Sequence, residues 1–395
     1  MKSFNSCPFP WSSLLLNFDG GISFCCFHPA IANIKLAPKL TFEEVWNGPI
    51  AQQLRRKWQK RDLRGTPCAN CLGLRMFEMY DYPVKNMDIR TSDISANLQL
   101  NFKEFNDREI IMKSMPVEIY YIPGVSCNIN CVHCFQPTPK NLGGDLIDIH
   151  VLFYFYKHFG KLGIRNVFAG GEPLYMRQTY ELINQFDPAH KAAAEAVFET
   201  NGQLVKDKFN SVKGFGRYSF LISIASFRKK IYEMIHRGAK LERLLENLEF
   251  LNSLRGNNVN ISIKRMMVLM KSNFQDLESI FYYNQLYGFD ETWVMPIQPA
   301  YGRFSILRSE NIFDLPYLLE HVPNWHCILQ KSINDAELLE NNTSYRHLKY
   351  IRGRLSSSVT MNRLLTIRNS LIWWLRNHFT NISMLSPKVQ QKCSK

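Results

Sequence analysis

The sequence predicts an α/β fold in which strands and helices alternate over residues 115–305. Two short runs of β-branched and aromatic residues, 117–122 and 166–169, each end at a glycine-containing turn, which is typical of strands that run into loops. Apolar residues at helical spacing predict helices between the strands, for example at 148–162, 180–186 and 240–254. The chain of 395 residues is long enough for this unit and a second, smaller one.

The smaller unit is expected at residues 1–75. Asp19-Gly20-Gly21 predicts a hairpin turn, and Thr41 with Glu44 forms the capping box of a helix. The basic residues that begin at Arg55 are expected on a solvated helix face. A unit of this size buries little apolar surface, so a metal site would help it to fold.

Three cysteines follow the first strand of the larger unit, with the spacing C-x3-C-x2-C: Cys127, Cys131 and Cys134. Three thiolates on one loop can hold three irons of a [4Fe–4S] cluster and leave the fourth iron open to a ligand. The alternatives are a zinc site or a chance group of cysteines, although zinc sites favour a C-x2-C pair with a second pair or histidines further along. A loop at the carboxyl end of a first strand is where a barrel enzyme places its chemistry.

The second strand ends in Gly170-Gly171-Glu172-Pro173. Two consecutive glycines let a ligand approach the backbone closely. Together with the upstream cysteine motif, this segment resembles the radical S-adenosylmethionine (SAM) superfamily. The resemblance covers roughly residues 115–300, and further strand-like segments match in order; they are 198–202, 220–224, 260–270 and 292–296.

The resemblance implies a partial (β/α)6 TIM-like barrel whose [4Fe–4S] cluster, held by the three cysteines, binds SAM. Reductive cleavage of SAM would give a 5′-deoxyadenosyl radical, and an external electron donor such as flavodoxin or ferredoxin would supply the electron. Six residues would serve SAM: Gly170, Gly171, Glu172 and Pro173 at its methionine end, Ser223 as a second contact, and Asn201 in shaping the pocket. For Ser223 and Asn201, a buried strand serine and a turn residue are equal alternatives. The chain departs from the family at His133, where an aromatic residue is usual, and at Ala225-Ser226, where many members have Asp-Gly.

The N-terminal unit resembles the SPASM (auxiliary-cluster) domain of many radical SAM enzymes, through its hairpin, its Glu-Val-Trp-Asn-Gly helix and its closing C-x2-C pair. The resemblance implies an auxiliary [4Fe–4S] cluster on four ligands: Cys7, Cys25, Cys68 and Cys71. Cys26 is an alternative to Cys25, because it lies at the same spacing from Gly21 as Cys25 does from Gly20. A zinc knuckle on the same ligands is the competing interpretation. Since residues 72–126 contain no further cysteine, one auxiliary cluster is expected, and Cys327 is interpreted as a remnant or a lone thiol.

Composition favours a metal protein of a reducing compartment. The ten cysteines are clustered, and the first residues lack the apolar stretch of a signal peptide, so a cytoplasmic location is expected. No apolar run reaches about 18 residues, so no transmembrane helix is expected.

Residues 76–114 are expected to form a connector and residues 306–395 a basic, helical C-terminal extension. Ten of the net fourteen positive charges fall within residues 346–395, which contain no acidic residue. The segment 364–376 predicts a basic helix rich in Trp and Leu, which could contact a membrane surface or an acidic partner. A helix packed on the barrel is the simpler alternative, and nucleic acid is the least favoured partner.

The expected function is therefore that of a radical SAM enzyme, with a peptide or protein as the first choice of substrate. That choice is an analogy at the level of the family. A sugar, nucleotide or cofactor precursor is the alternative substrate. A non-catalytic iron–sulfur scaffold or electron carrier is the alternative class, and the intact Gly170-Gly171-Glu172 argues against it.

Overall fold

The computed structural model describes residues 7–37, 39–71, 92–134, 146–297, 310–313, 320, 322, 324–340 and 343–357. The strands are β1 (Ser13–Leu16), β2 (Gly21–Ser23), β3 (Ala32–Asn33), β4 (Glu118–Tyr121), β5 (Asn130–Cys131), β6 (Arg165–Phe168), β7 (Glu195–Thr200), β8 (Arg217–Ser223), β9 (His236–Arg237), β10 (Ile261–Leu269) and β11 (Glu291–Pro296).

The helices are α1 (Phe9–Ser12), α2 (Phe42–Trp46), α3 (Pro49–Gln59), α4 (Ser92–Asp107), α5 (Ile149–Phe155), α6 (Arg177–Asn184), α7 (Pro188–Ala193), α8 (Val205–Lys208), α9 (Lys229–Ile235), α10 (Leu241–Gly256), α11 (Ile280–Leu286), α12 (Trp325–Leu338) and α13 (343–357). A π-helical turn, Tyr156–Gly160, continues α5, and 3₁₀ turns form at Pro67–Asn70, Phe209–Val212 and Lys271–Ser279.

Six parallel strands form the predicted partial barrel. They lie in the order β4-β6-β7-β8-β10-β11, and the helices lie between them along the chain. Each strand overlaps one of the six segments predicted from the sequence, so the α/β fold class is confirmed. Parallel strands bring all their carboxyl ends to one edge, where the chemistry of such folds is placed.

The N-terminal unit extends the same sheet. Strand β1 pairs in parallel with β4, and β1–β2–β3 continue as an antiparallel hairpin and an edge strand. Gly20, in the predicted turn, has a φ of +86°, a conformation that favours glycine. The predicted capping box is present, since Thr41 and Glu44 exchange hydrogen bonds at the start of α2.

Arg55 corrects the expectation of a solvated basic face on α3. Its side chain is fully buried, whereas Arg56 is exposed as predicted. The Arg55 guanidinium donates to the carbonyl oxygens of Pro10, Trp46 and Ile110 at 2.8–3.1 Å. A charged group can be buried there because it joins three segments that would otherwise bury unpaired carbonyl groups.

The two largest hydrophobic clusters among the described residues support the sheet. The first is continuous from the N-terminal unit into the barrel and contains Trp11, Trp46, Phe168 and Phe198 among others. The second lies between β10 and β11 and the C-terminal helices, around Met267, Val294 and Leu329. Within the described ranges no helix is long and apolar enough to cross a membrane. The predicted basic helix at 364–376 lies outside the described residues.

Candidate active site

The predicted site residues of the barrel gather at the carboxyl edge of the sheet. The cysteine loop follows β4, the Gly-Gly-Glu-Pro segment follows β6, Asn201 follows β7, and Ser223 ends β8. Residues up to about a hundred positions apart in the chain therefore come together, because their strands are parallel neighbours.

The cysteine loop is fixed to the rest of the barrel by strand pairing. Its short strand β5 pairs antiparallel with β9, which places Cys131 opposite His236. Cys127 is buried, whereas Cys131 and Cys134 are half-buried. The Cys134 amide donates to the Cys131 carbonyl at 3.2 Å, so the loop turns tightly between its second and third thiols.

The Gly-Gly-Glu segment packs directly on this loop. The amides of Gly171 and Glu172 donate to the carbonyls of Gly124 and Ser126 at 3.0 and 2.9 Å. A Cβ atom on Gly171 would lie 2.0 Å from the Ser126 oxygen, so only glycine permits this contact. The two motifs read from the sequence therefore form one unit.

Glu172 is buried beneath that unit. Its carboxylate accepts hydrogen bonds from the Thr200 hydroxyl at 2.8 Å, the Asn201 amide at 2.8 Å and the Leu174 amide at 3.0 Å. Burial raises the pKa of Glu172 to about 7, while these hydrogen bonds oppose the shift. The side chain thus ties the end of β6 to the end of β7.

Asn201 and Ser223 occupy different positions around the loop. The Asn201 side-chain amide donates to the Asn128 Oδ1 at 2.8 Å and lies 3.7 Å from the Cys127 Sγ. Ser223 is half-buried at the end of β8. Asn201 therefore contacts a cysteine of the loop directly.

His236 was missed by sequence reasoning. Its Nδ1 lies 3.2 Å from the Cys131 Sγ, and its Nε2 accepts a hydrogen bond from the Ala225 amide at 3.2 Å. Burial, together with the neighbouring His133, lowers the pKa of His236 well below its usual range. Because His236 lies about a hundred residues after the cysteines, no spacing rule connects it with them.

In the N-terminal unit, four cysteines surround one largely apolar cavity: Cys7, Cys25, Cys68 and Cys71, together with Phe9, Phe24 and His28 among others. Burial raises the pKa of Cys7 well above its usual range, and the nearby Cys25, Cys68 and Cys71 raise it further. Cys26 does not line this cavity. In the described part of the chain, no three His, Cys, Asp or Glu side chains are close enough together to hold a single metal ion.

A row of charged residues crosses the barrel strands at their amino-terminal half. The row consists of one residue on each of β4, β6, β7 and β8: Glu118, Arg165, Glu195 and Arg217. The guanidinium nitrogen of each arginine lies 3.6–3.8 Å from a carboxylate oxygen of the neighbouring glutamate. Glu199 shares the face of Glu195 on β7 but lies nearer the carboxyl edge. Burial raises the pKa of Glu199 to about 7, and Glu118 contributes in the same direction.

Two family models match the chain in the regions just described. Residues 121–281 match the Radical SAM superfamily. The chain therefore contains a radical SAM domain. Residues 7–72 match the SPASM iron–sulfur cluster-binding domain, which lies on the N-terminal side of the radical SAM domain, as predicted. The matches confirm the two expected domains and the expected cofactors: a [4Fe–4S] cluster with SAM, and an auxiliary iron–sulfur cluster.

Curated relatives of this radical SAM protein include GTP 3′,8-cyclases. The protein of Limosilactobacillus fermentum is 22% identical over 201 residues, which are 48% of this chain and 58% of the relative. That of Aliarcobacter butzleri is 23% identical over 226 residues, which are 56% of this chain and 68% of the relative. The chain thus spans little more than half the length of the Limosilactobacillus protein.

Solved structures similar to this radical SAM protein include Streptococcus suis SuiB bound to precursor peptide SuiA. It has 17% identity and a TM-score of 0.41, over 71% of this chain and 60% of that chain. Native anSMEcpe with bound AdoMet and Cp18Cys peptide has 16% identity and a TM-score of 0.39, over 55% of this chain and 60% of that chain. These similarities are too low to add to the fold described above.

Proposed function

We propose that Cys127, Cys131 and Cys134 hold the catalytic [4Fe–4S] cluster and that the enzyme cleaves SAM reductively there. The observation that carries this proposal is the contact between the cysteine loop and the Gly-Gly-Glu segment at the carboxyl edge of the barrel. When bound, SAM and the cluster supply a 5′-deoxyadenosyl radical that abstracts a hydrogen atom from the substrate. The protein's own residues bind, orient and shield these groups.

Gly170, Gly171, Glu172 and Pro173 are assigned to the methionine end of SAM. The amides of Gly171 and Glu172 already donate to the cysteine loop, so the carbonyl oxygens of the two glycines are the groups assigned to the SAM amino group. The Glu172 carboxylate is already hydrogen-bonded by its own chain, and its contribution is to hold this backbone in place. Ser223 remains a second SAM contact, and Asn201 orients the Cys127 side of the pocket.

The proposed auxiliary cluster uses Cys7, Cys25, Cys68 and Cys71. Zinc would require four sulfurs within about 2.3 Å of one ion. The four thiols surround one cavity, and residues 7–72 match an iron–sulfur cluster-binding domain. This arrangement favours a polynuclear cluster over a zinc knuckle, and four ligands would close it to SAM.

A peptide or protein remains the first choice of substrate. The face of the barrel that carries Glu199 has acidic and basic residues paired in a row, and Glu199 accepts no hydrogen bond from the described residues. A polyphosphate is bound by unpaired arginine or lysine side chains, whereas a carboxyl group next to the site suits a peptide amide or amine. The Glu199 carboxyl group therefore supports a peptide, whereas the buried Arg265 of β10, which has a guanidinium nitrogen with no hydrogen-bond partner among the described residues, would suit an anionic group.

A nucleotide is the second candidate, because the curated relatives are named GTP 3′,8-cyclases. The two candidates can be separated by turnover with SAM and reductant in the presence of GTP, and of peptides encoded beside the gene. Loss of GTP would favour the nucleotide. A SAM-dependent mass change in a peptide would favour the peptide.

The cleavage of SAM is tested with anaerobically reconstituted protein, dithionite and SAM. We expect 5′-deoxyadenosine from the wild type and none from Cys131→Ala, because the variant lacks one ligand of the catalytic cluster. Cys327→Ala is the matched control, since Cys327 is exposed on α12. A fully loaded wild-type protein that forms no 5′-deoxyadenosine would instead support the non-catalytic scaffold.

The partners and location are proposed on the chemistry alone. The catalytic cluster needs an external one-electron donor, for which flavodoxin or ferredoxin is suitable. A cytoplasmic location follows from the reducing conditions that thiolate ligands need. Contact of the basic tail with a membrane surface or an acidic partner remains a prediction.

A further inference from the structure

His236 lies beside Cys131, the second cysteine of the loop proposed to hold the catalytic cluster. It is 1% exposed and belongs to β9, whose partner strand β5 contains Cys131. The adjacent hydrogen bond from the Val132 amide to the Ile235 carbonyl, at 2.9 Å, extends this pairing. The distance of 3.2 Å between Nδ1 and the Cys131 sulfur is thus set by backbone pairing.

The hydrogen bonds of the ring fix its tautomer. A backbone amide can only donate, so the Ala225 N–H requires a lone pair on Nε2. A neutral imidazole that accepts at Nε2 carries its hydrogen on Nδ1. Nδ1 faces the Cys131 sulfur, so the histidine donates and the sulfur accepts.

The ring is also held from its sides. The ring of Tyr232 lies 4.8 Å from it, and the ring of His133 lies 5.6 Å away, edge to face. Tyr232 is in turn fixed by a hydrogen bond from Gln203 at 3.2 Å. These contacts leave the ring little freedom to rotate away from the cysteine.

We propose that His236 is a positioning residue that donates an Nδ1–H hydrogen bond to the Cys131 thiolate and raises the reduction potential of the catalytic cluster. The inference rests on the proposed function, since it assumes that Cys131 is a cluster ligand. Reduction adds negative charge to the cluster and its sulfurs, so a fixed donor stabilises the reduced form more than the oxidised form. The residue thereby makes the electron transfer that precedes SAM cleavage more favourable.

The test is an EPR-monitored redox titration of cluster-loaded His236→Phe and His236→Asn. Phenylalanine keeps a ring without a donor, and asparagine can place an amide nitrogen near the position of Nδ1. For His236→Phe we expect a reduction potential lower by about 59 mV, which for one electron is about a tenfold shift of the equilibrium toward the oxidised cluster. His236→Asn should recover a large part of that shift. His190→Asn is the matched control for the loss of a buried histidine, because His190 hydrogen-bonds Gly163 and Tyr156 instead.

An unchanged potential in fully loaded His236→Phe, or equal shifts in the Phe and Asn variants, would overturn the inference. A second measurement does not depend on cluster loading of the Phe variant. The ¹⁵N chemical shifts of labelled histidine are measured in the wild type, and the His236 signals are identified by their loss in His236→Asn. A hydrogen on Nδ1 supports the inference, and a hydrogen on Nε2 contradicts it. If the wild type has no cluster whose EPR signal responds to SAM, the proposed function fails instead, so the two failures are distinguishable.

Discussion

Two adjacent cysteines of the N-terminal unit have different surroundings. Cys25 lines the cavity with Cys7, Cys68 and Cys71, whereas Cys26 does not. Cys26 is exposed, whereas Cys25 is half-buried. Cys26 therefore lies outside the group of four cysteines around the cavity.

We predict that Cys25→Ala loses the auxiliary cluster and that Cys26→Ala keeps it. Loss of one of four ligands should remove about half of the bound iron in a two-cluster protein. Iron and sulfide per chain, measured after anaerobic purification, give the result. Normal iron in Cys25→Ala together with loss in Cys26→Ala would reverse the assignment.

Arg55 and Arg56 form a matched pair on α3, one buried and one exposed. We predict that Arg55→Ala lowers the free energy of unfolding by about 3 kcal/mol, because buried carbonyl groups lose their donors. Arg56→Ala should change it by less than about 0.5 kcal/mol. Denaturant unfolding under fixed cluster loading measures both, and equal effects would contradict the structural role of Arg55.

At the scale of elements, the cysteine loop and the Gly-Gly-Glu segment depend on one close approach. We predict that Gly171→Ala prevents loading of the catalytic cluster, because its Cβ would overlap the Ser126 carbonyl. Gly256→Ala is the control, since a Cβ at the end of α10 meets nothing within 4 Å. Iron content and the EPR signal of the reduced protein report the loading, and a normal catalytic cluster in Gly171→Ala would contradict the proposed contact.

Strand β7 carries a carboxyl group whose ionisation should oppose folding. The pKa of Glu199 is raised from 4.5 to about 7. The protonated carboxyl group therefore makes its full contribution to folding stability below pH 4.5, and this contribution is lost as the pH rises through 7. We compare the free energies of unfolding of Glu199→Gln and the wild type at two pH values. We predict that the difference, variant minus wild type, increases by about 1 kcal/mol from roughly pH 6 to roughly pH 8. Unfolding curves at both pH values test this. A difference that does not change with pH would show that Glu199 is already ionised at pH 6.

For the whole molecule, the sequence was sufficient where the signal was local. The cysteine spacing, the Gly-Gly-Glu-Pro segment and the alternation of strands predicted the barrel and the edge at which its site forms. The capping box at Thr41 was confirmed for the same reason, since its four residues contact one another directly.

The features that sequence did not predict depend on contacts between distant segments. His236 reaches Cys131 only because β9 pairs with β5, and Arg55 is buried only because α3 packs on residues from three other segments. The choice between Cys25 and Cys26 likewise needed the position of the cavity. Spacing alone contains no information on such contacts.

The molecule also combines its two iron–sulfur units in one sheet. Strand β1 of the N-terminal unit pairs with β4, the strand that leads into the catalytic cysteine loop. A shared sheet and core give both proposed clusters a rigid common support. The predicted domain boundaries at 75, 114 and 305 remain predictions.

The central claim is that SAM binds at the cluster held by Cys127, Cys131 and Cys134. Its most direct test is the EPR spectrum of the reduced, cluster-loaded protein before and after addition of SAM, in the wild type and in Cys68→Ala. We predict that SAM changes the signal in both proteins, because the catalytic cluster keeps its open iron when the auxiliary ligand is lost. The claim is contradicted if SAM leaves the EPR signal of the wild type unchanged. It is also contradicted if SAM changes the signal of the wild type but not that of Cys68→Ala with its catalytic cluster loaded.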